Sequence, residues 1–385
     1  MSGKNNQKQP ETIAARADGF TDQASGGVVP PLQPSTTFLR DEDYALLVPE
    51  NSYGRADNDQ VRLAEQILAA LEGAESSLLF SSGMAAISAL VEPLKRGQSL
   101  LLQEGCYWGT TAFLRKVFAH RELNLVEADS CDLERFCEII LAEKPDLVFL
   151  ETPSNPWIRT CDVAAISSAC KKAGSRLVVD ATAATPVLMQ PLMLGADIVM
   201  HSATKAINGH SDVLAGVLSC REPASDYWKD VVAHRAGGGA ILSAHDAWML
   251  IRGMRTLPLR IERMCDNAMV IAEFLTDHSK VEEVWYPGLV GHQDHQLATR
   301  QMTGGYGYLM SFLVKGNRED ALKFCRHLEG IHRATSLGGT ESLVEHRHTI
   351  EGNLTGCPEN LIRLSVGIEN KKDLISELDQ ALKSI

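Results

Sequence analysis

The sequence predicts an α/β fold, with a large domain built around a mainly parallel sheet and a smaller α+β domain after it. Between about residues 75 and 220, short apolar runs alternate with segments of helical periodicity. That alternation is typical of a parallel sheet with helices on both faces. The chain has 385 residues, more than one small core usually accommodates, so we expect two domains.

The composition narrows the class of protein and its partners. Hydrophobic residues make up 44% of the chain and charged residues 22%, as in ordinary globular proteins. The formal net charge of −12 disfavours nucleic acid and anionic membranes as partners, and no run reaches the roughly 18 apolar residues of a membrane span. The nine cysteines are scattered without a C-x-x-C pair, and the polar N-terminus has no signal-peptide pattern. We therefore expect a cytoplasmic protein.

The first part of the chain predicts an extended arm followed by a helix. Residues 1–58 are rich in Gly, Pro and polar residues, so we expect an arm that lies across a neighbouring surface. Apolar residues at helical spacing over 61–71 predict a helix that stops at Gly73. We expect the large domain over 59–256 and the small domain over 257–385.

Five apolar runs in the large domain predict strands. They are 77–80 before Ser81-Ser82-Gly83, 99–102, 147–150 before Glu151 to Pro156, 177–179 before Asp180, and 196–200 before His201 to Lys205. A helix capped by Asp162 is expected to run to Gly174. Ligands of parallel sheets bind at the carboxyl ends of the strands, so Asn155, Asp180 and Lys205 are candidates for one cleft, together with the Ser-Gly turn.

The last third of the chain predicts the smaller α+β domain. Helical patterns cover 241–254 and 260–275. Two strand-like segments, 307–314 and 361–366, precede a final helix over 372–382. Helices and strands that do not alternate regularly favour an α+β arrangement.

Lys205 and Asp180 together indicate a particular chemistry. A buried, deprotonated lysine can form a Schiff base with an aldehyde cofactor and can later act as a base. An aspartate can hold the protonated pyridine nitrogen of that cofactor, which is the pairing that pyridoxal 5′-phosphate (PLP) requires. Each residue also has an ordinary interpretation, because most lysines lie on the surface and an aspartate often caps the turn after a strand.

Further residues fit such a cofactor. The segment Ser81–Met84 opens a helix whose free N–H groups could bind a phosphate, although helix starts of this kind are common. Ser202 and Thr204 place two hydroxyls in the turn of Lys205 for the same phosphate. Tyr107 could stack on a cofactor ring or be a core tyrosine. Arg363, on an apolar strand, is suited to grip an α-carboxylate through two parallel hydrogen bonds.

Two histidine pairs raise the alternative of a metal site. His292 with His295, and His346 with His348, have spacings that bind metal only occasionally, and no Cys or carboxylate cluster supports them. We therefore expect no metal. The chain also has no G-x-S-x-G, Walker-type loop or G-x-G-x-x-G. No motif therefore supports a hydrolase, a nucleotide phosphotransferase or a dinucleotide-binding protein.

In their order along the chain, these motifs resemble the Cys/Met-metabolism family of PLP-dependent enzymes. That family includes cystathionine γ-synthase, cystathionine γ- and β-lyases, methionine γ-lyase and homoserine-ester sulfhydrylases. The resemblance covers about residues 20–384, and it implies the aspartate-aminotransferase-like fold (fold type I) for the large domain. The segments that carry it are Tyr53–Arg55, Ser82–Met84, Tyr107, Glu151–Pro156, the strand of Asp180, Ser202–Lys205, Gly209–Asp212, Arg252–Leu257, Ser336–Gly339 and Arg363–Glu369.

The resemblance implies a role for each site residue. Lys205 would be the Schiff-base lysine and proton shuttle, and Asp180 the partner of the pyridinium nitrogen. Tyr107 would stack on the ring and assist proton transfer or departure of the leaving group. The other implied contacts are Asn155 for the ring hydroxyl and the substrate carboxylate, Gly83, Met84, Ser202 and Thr204 for the phosphate, Tyr53 and Arg55 for the phosphate of the neighbouring subunit, and Arg363 with Ser336 for the α-carboxylate. Such shared sites imply a homo-oligomer, usually a dimer of dimers.

Departures from the family pattern bear on the substrate. Thr335, which we also place at the substrate, stands where many cystathionine-handling γ-enzymes carry Glu and β-lyases carry Tyr. Leu337 stands where β-lyases typically have Trp, and Gly109 where methionine γ-lyases place a cysteine. The segments 181–186 and 345–349 also differ from the usual sequence, which suggests an unusual leaving group.

We therefore expect PLP-dependent γ-elimination or γ-replacement on a homoserine-derived amino acid, of the cystathionine γ-synthase or γ-lyase type. Lys205 would remove the α-proton and then the β-proton. The leaving group would be a thiol, an acyl ester or another oxygen group such as that of canavanine. The alternatives are cleavage of the cystathionine β-lyase type and a non-catalytic protein that keeps the fold.

Overall fold

A seven-stranded sheet forms the centre of the larger part of the molecule. The computed structural model describes residues 8–352 and 355–385. The strands are β1 (Ser76–Phe80), β2 (Ser99–Gln103), β3 (Asn124–Ala128), β4 (Leu147–Glu151), β5 (Arg176–Asp180), β6 (Ile198–His201) and β7 (Gly216–Cys220). Their order is β1-β7-β6-β5-β4-β2-β3. The pairs from β6 to β3 are parallel, and β7 runs antiparallel to both β1 and β6, so the prediction of a mainly parallel sheet is confirmed.

Helices cover both faces of this sheet. The helices are α1 (Pro10–Ala15), α2 (Asp59–Glu72), α3 (Gly83–Val91), α4 (Trp108–Arg121), α5 (Leu133–Glu143), α6 (Val163–Ala173), α7 (Thr185–Leu188), α8 (Asp226–Gly238) and α9 (Ala244–Met254), with a short 3₁₀ helix at Ala17–Gly19. Alternate strand residues point to opposite faces, and Val178 and Val179 of β5 belong to two different clusters of buried apolar residues. Helices α2, α5, α6 and α9 contribute to one cluster, and α3, α4 and α8 to the other.

Local signals explain where the predicted helices begin and end. Helix α2 starts after Asn58, whose side chain accepts a hydrogen bond from the Val61 N–H, and it stops at Gly73 with φ of 65°. Helix α6 starts after the capping Asp162 and stops at Gly174, again in the left-handed conformation. Glycine adopts this conformation without the Cβ clash that other residues suffer. Both predicted helix ends are therefore confirmed.

A second, five-stranded sheet organises the C-terminal part. Its strands are β8 (Val281–Trp285), β9 (Leu309–Val314), β10 (His332–Arg333), β11 (Leu343–His346) and β12 (Leu361–Ser365), in the order β10-β11-β12-β9-β8. The helices here are α10 (Leu257–Asp277), α11 (His295–Gln301), α12 (Arg318–Arg326), α13 (Arg347–Glu351) and α14 (Lys371–Lys383). Helices α10, α12 and α14 share one apolar cluster with the sheet, which gives the expected α+β arrangement. None of the helices in 8–352 and 355–385 combines the length and apolarity needed to cross a membrane.

The N-terminal segment divides into a packed and an exposed portion. Ile13 and Ala14 of α1 are buried against the main core of their own chain, which differs from the expectation of an extended arm across a neighbouring surface. The reason is that this short helix packs against α2 and α10, where its residues Ile13 and Ala14 are buried. From about residue 20 to 58 the chain forms only isolated β-bridges, and Leu39 and Tyr44 are 78% and 81% exposed. Residues 1–7 of the predicted arm lie outside the described residues, and its proposed limit at 58 stays a prediction.

Candidate active site

A cavity of about 380 Å³ lies at the carboxyl ends of the parallel strands and is lined from both parts of the chain. All predicted site residues except Tyr53 and Arg55 line it, namely Gly83, Met84, Tyr107, Asn155, Asp180, Ser202, Thr204, Lys205, Thr335, Ser336 and Arg363. A larger cavity of about 970 Å³ adjoins it beside Trp108 but is lined by none of the predicted site residues. We therefore place the candidate active site in the smaller cavity, where the titratable groups converge.

Lys205 follows β6 and reaches across the cavity to the C-terminal part. Its Nζ donates a hydrogen bond of 2.9 Å to Oγ of Ser336. Burial, together with the nearby Arg363 guanidinium and against the opposing effect of Glu345, lowers the pKa of Lys205 to about 8. A lysine amine must be neutral to act as a nucleophile or a base. The site therefore makes the reactive form of this lysine more abundant than in an ordinary lysine.

Ser336 connects Lys205 with Arg363. Its hydroxyl accepts from Lys205, and its backbone carbonyl accepts a hydrogen bond of 2.6 Å from Nη2 of Arg363. Ser336 adopts a φ of 92°, in the left-handed region that non-glycine residues rarely occupy. Conformations of this kind cost about 1–3 kcal/mol and persist where the surrounding structure holds them. Its neighbour Thr335 is exposed at the rim of the same cavity.

Asp180 ends β5 on the floor of the cavity. Its Oδ1 accepts hydrogen bonds from the backbone N–H of Thr182, at 2.9 Å, and from the Thr182 hydroxyl. Burial raises the pKa of Asp180, and the hydrogen bonds from Thr182 partly counter that rise. Among the described residues, none donates a hydrogen bond to Oδ2. That oxygen is available to a protonated ligand nitrogen, whose positive charge would hold the carboxyl ionised.

The start of α3 forms one end of the cavity. The Ser82 side chain caps the helix by accepting from the Ala85 N–H at 3.1 Å. Within the described parts of the chain, the backbone N–H groups of Gly83 and Met84 have no hydrogen-bond acceptor. A Cβ atom on Gly83 would lie 3.0 Å from Cβ of Ser202, so only glycine lets these two segments approach so closely. Free N–H groups at a helix start are well suited to a phosphate.

The two hydroxyls after β6 are not equivalent. Ser202 lines the cavity, and its backbone N–H donates to the Thr182 hydroxyl at 2.8 Å, which fixes the turn. The Thr204 hydroxyl donates to the Ala215 carbonyl at 3.1 Å and accepts from the Ala215 N–H at 2.9 Å. The proton of Thr204 is therefore already used by the backbone. Thr204 can contact a phosphate only through a reorientation that Ser202 does not need.

Tyr107 is held by the buried carboxylate of Glu151, for which the sequence pattern had indicated no role. Glu151 ends β4 and accepts hydrogen bonds from the backbone N–H groups of Tyr107 and Asn155, the latter at 3.0 Å. Burial raises the pKa of Glu151 well above its usual value and raises that of the partly buried Tyr107 hydroxyl. A Cβ atom on Gly109 would lie 2.6 Å from Cε1 of Tyr107, so the ring packs directly over this glycine.

Arg363 occupies β12, is only 2% exposed and lines the cavity. Its Nη1 donates to Oδ1 of Asn155 at 3.2 Å, and its Nη2 lies 2.7 Å from Oε2 of Glu345 on the adjacent strand. Burial lowers the pKa of Arg363 to about 10, and the Glu345 carboxylate opposes that shift. Glu345 and Arg347 also line the cavity, and they belong to the segment 345–349, which differs from the usual family sequence.

Tyr53 and Arg55 lie outside the cavity of their own chain. Nη1 of Arg55 donates to the carbonyl of Ala236 at 2.7 Å, and its guanidinium lies 5.7 Å from the centre of the Tyr53 ring. Tyr53 is 47% exposed. Neither residue contacts the phosphate end of the same chain, which is compatible with a role in a neighbouring subunit. That role stays a prediction.

Comparison with known proteins shows to which family the chain belongs. The family model described as "Cys/Met metabolism PLP-dependent enzyme" matches residues 11–383. The chain belongs to this family. Cystathionine γ-synthase of Mycobacterium bovis is 38% identical over 97% of this chain and 96% of its own, and cystathionine γ-lyase of Dictyostelium discoideum is 36% identical over 99% of both. The crystal structure of cystathionine γ-synthase from Xanthomonas oryzae pv. oryzae in complex with cystathionine has a TM-score of 0.92 and 35% identity over 98% of both chains.

PLP is the cofactor of this family, and the cavity contains groups that fit each part of it. Oδ2 of Asp180 is a spare acceptor for the pyridine nitrogen. The N–H groups of Gly83 and Met84, with the Ser202 hydroxyl, can receive the phosphate. Lys205 supplies the amine for the aldehyde.

Proposed function

We propose that the protein catalyses γ-elimination or γ-replacement on a homoserine-derived amino acid. The main support for this proposal is the arrangement of residues around Ser336. Its hydroxyl holds the Lys205 amine at 2.9 Å, and its carbonyl holds the Arg363 guanidinium at 2.6 Å. A base and a carboxylate-binding cation are thus placed within reach of one small amino acid. The relatives described above, which are cystathionine γ-synthases and a γ-lyase, support the same reaction class.

The chain's own residues would divide the work with the cofactor. PLP, when bound, supplies an electron sink that stabilises negative charge at the substrate's α-carbon. Arg363 would bind the α-carboxylate through its guanidinium, with Asn155 beside it. Lys205, with its lowered pKa, would take the α-proton and then the β-proton. Removal of the β-proton is the step that distinguishes γ-chemistry from β-elimination.

Tyr107 is suited to help the leaving group depart. Because burial raises the pKa of its hydroxyl, Tyr107 keeps its proton at neutral pH and can give it to a departing thiolate or oxygen anion. Thr335 is a neutral residue at the rim of the cavity, and Leu337 is a buried apolar residue in its wall. Neither side chain carries a charge that could pair with an ionic leaving group. A thiol, an ester or another oxygen group would meet no charge repulsion from Thr335 or Leu337.

A panel of purified-enzyme assays tests this reaction class. O-Succinylhomoserine and O-acetylhomoserine, each with and without cysteine, would be compared with cystathionine, methionine and canavanine. We expect a four-carbon 2-oxo acid from γ-elimination, or cystathionine from γ-replacement by cysteine. Release of homocysteine and pyruvate from cystathionine would instead assign a β-lyase. Loss of the cofactor's borohydride-sensitive visible absorbance in Lys205→Ala would show that Lys205 holds the cofactor, and absence of product from every substrate of the panel would favour the alternative of a non-catalytic protein that keeps the fold.

We also propose a dimer of dimers in which Tyr53 and Arg55 complete the phosphate site of the neighbouring subunit. Their position outside their own cavity supports this, as do the exposed Leu39 and Tyr44 in the same arm. Mixing inactive Lys205→Ala with inactive Arg55→Ala subunits should restore activity, because some sites then receive both intact residues. No recovery after confirmed subunit exchange would contradict shared sites.

We propose a cytoplasmic location for the protein. All nine cysteines are free thiols, which are maintained in the reducing cytoplasm. Fractionation of cells that express the tagged chain tests the location, and recovery from a secreted or periplasmic fraction would contradict it.

A further inference from the structure

Four buried charged side chains form a continuous series beside the cavity, which we name the charge chain: Arg363, Glu345, Arg347 and Glu351. Oε2 of Glu345 is contacted from two sides, by Nη2 of Arg363 at 2.7 Å and by Nη1 of Arg347. Arg347 also pairs with Glu351. All four side chains are at most 4% exposed. The charge chain therefore acts in a region of low dielectric, where each charge strongly affects its neighbours.

The fold determines which residues meet in the charge chain. Glu345 and Arg363 stand opposite each other in the register of β11 and β12. Arg347 and Glu351 are the first and last residues of α13, four positions apart, and so lie on one side of that helix. Arg363, Glu345 and Arg347 line the cavity, and Arg347 is among the largest fully buried side chains in the described chain.

Arg347 is important because it balances the negative charges of the buried glutamates in the charge chain. The charge chain holds two positive and two negative side chains and is neutral, which is the condition under which buried ions are tolerated. Without Arg347, the Glu345 carboxylate would have Arg363 as its one cationic partner in the charge chain. A substrate α-carboxylate would then compete with Glu345 for a single guanidinium. With Arg347 present, the charge of Glu345 is shared, and Arg363 keeps attraction for a second carboxylate.

We propose that Arg347 is a positioning residue that keeps Arg363 available to the substrate's α-carboxylate. The inference rests on the proposed function, in which Arg363 binds that carboxylate. Arg363 lines the cavity, and the hydrogen-bonding capacity of its guanidinium is not exhausted, because the buried Nε has no partner among the described residues. The bond from Nη1 to Asn155 is also long, at 3.2 Å, and is readily exchanged. Arg347 thus acts through Glu345 and needs no contact with the substrate.

Inhibition by glycine measures how strongly the site binds an α-carboxylate, independently of any leaving group. Glycine carries the α-amino and α-carboxylate groups of a substrate but no side chain. In the holoenzyme we expect Arg347→Met to raise both KM and the glycine inhibition constant by about tenfold or more, with kcat within about threefold of the unmodified enzyme. Adding Glu345→Gln to Arg347→Met should return the glycine constant to near its original value, because the competing carboxylate is gone. A purely structural role for Arg347 predicts instead that the glycine constant changes only together with the thermal unfolding temperature, because Glu345→Gln also restores the charge balance.

A second variant changes the same series in the opposite direction. In Glu351→Gln, Arg347 is left with Glu345 alone, so the competition for Arg363 should weaken. We expect the glycine constant to fall, and an unchanged or increased constant would overturn the proposal. Glu351→Gln keeps the test decisive if Arg347→Met does not fold, which thermal unfolding and cofactor absorbance would reveal.

The outcomes separate this proposal from the function on which it rests. If Arg363→Met leaves the glycine constant unchanged, the assigned role of Arg363 is wrong. If Arg363→Met weakens glycine binding but Arg347→Met does not, the positioning role alone is wrong. A fall in kcat of Arg347→Met with unchanged glycine binding would place Arg347 at the leaving group instead.

Discussion

The amine that captures PLP should be unusually easy to deprotonate. Burial lowers the pKa of Lys205 from its ordinary value of 10.5 to about 8. Only a neutral amine attacks the aldehyde carbon. The rate at which the apoenzyme takes up PLP should therefore follow the neutral fraction of this single side chain as the pH changes.

The lowered pKa of Lys205 determines the size of the effect. With a pKa of about 8, the neutral fraction is roughly 9% at pH 7, roughly 50% at pH 8 and roughly 91% at pH 9. The rate should rise about tenfold over this range and then level off. A lysine with the ordinary pKa would be roughly 0.03% neutral at pH 7 and roughly 3% at pH 9. Its rate would rise about a hundredfold without a plateau.

Stopped-flow absorbance of the apoenzyme mixed with PLP measures this profile at constant ionic strength. Two variants with opposite expected shifts serve as matched controls. Arg363→Met removes a cation that favours the neutral amine, so the midpoint should move to higher pH. Glu345→Gln removes an anion that favours the charged amine, so the midpoint should move to lower pH. A rate that still climbs tenfold per pH unit above about pH 9 in the unmodified protein would refute the reasoning.

Three further substitutions test single contacts. Asp180→Asn should lower kcat by about a hundredfold, because the ring nitrogen loses its anionic partner. The apoenzyme should become more stable in urea unfolding at neutral pH, since burial raises the pKa of this carboxyl and its ionised form weakens the fold. Gly109→Ala should displace the Tyr107 ring, with a loss of about tenfold in kcat/KM and an unchanged PLP dissociation constant. Gly83→Ala should press on Ser202 and raise the PLP dissociation constant by about tenfold in equilibrium titration; unchanged PLP binding would show that the phosphate lies elsewhere.

Local signals made part of the fold predictable. The helix stop at Gly73, and the helix between Asp162 and Gly174, depend on residues that act within one turn of the helix end. No expectation covered α4, over residues 108–121, because its buried face is narrow and includes a threonine. The buried residues of that helix are Thr110, Leu114 and Phe118. Such a sparse pattern becomes a helix through packing against the sheet, which periodicity alone does not reveal.

Site residues could be predicted where the pattern of a single segment of the chain was sufficient. Asp180 and Lys205 follow apolar strands, and parallel topology then brings their ends together. Glu151 ends a strand in the same way as Asp180, so its place in the site could have been predicted from the sequence too. The pairing of Glu345 with Arg363 was not, because it depends on the register of β11 against β12. Register is decided by turns and by packing across the whole sheet.

Hydrogen exchange in D₂O tests the central claim, that Lys205 moves protons at both Cα and Cβ, most directly. L-2-Aminobutyrate has the carbon chain of a homoserine derivative but no leaving group, so the result does not depend on which group departs. We predict that the holoenzyme exchanges the α- and β-hydrogens, followed by proton NMR, and that Lys205→Ala exchanges neither. Exchange at Cα alone would contradict γ-chemistry, and undiminished exchange in Lys205→Ala would contradict the role of this lysine.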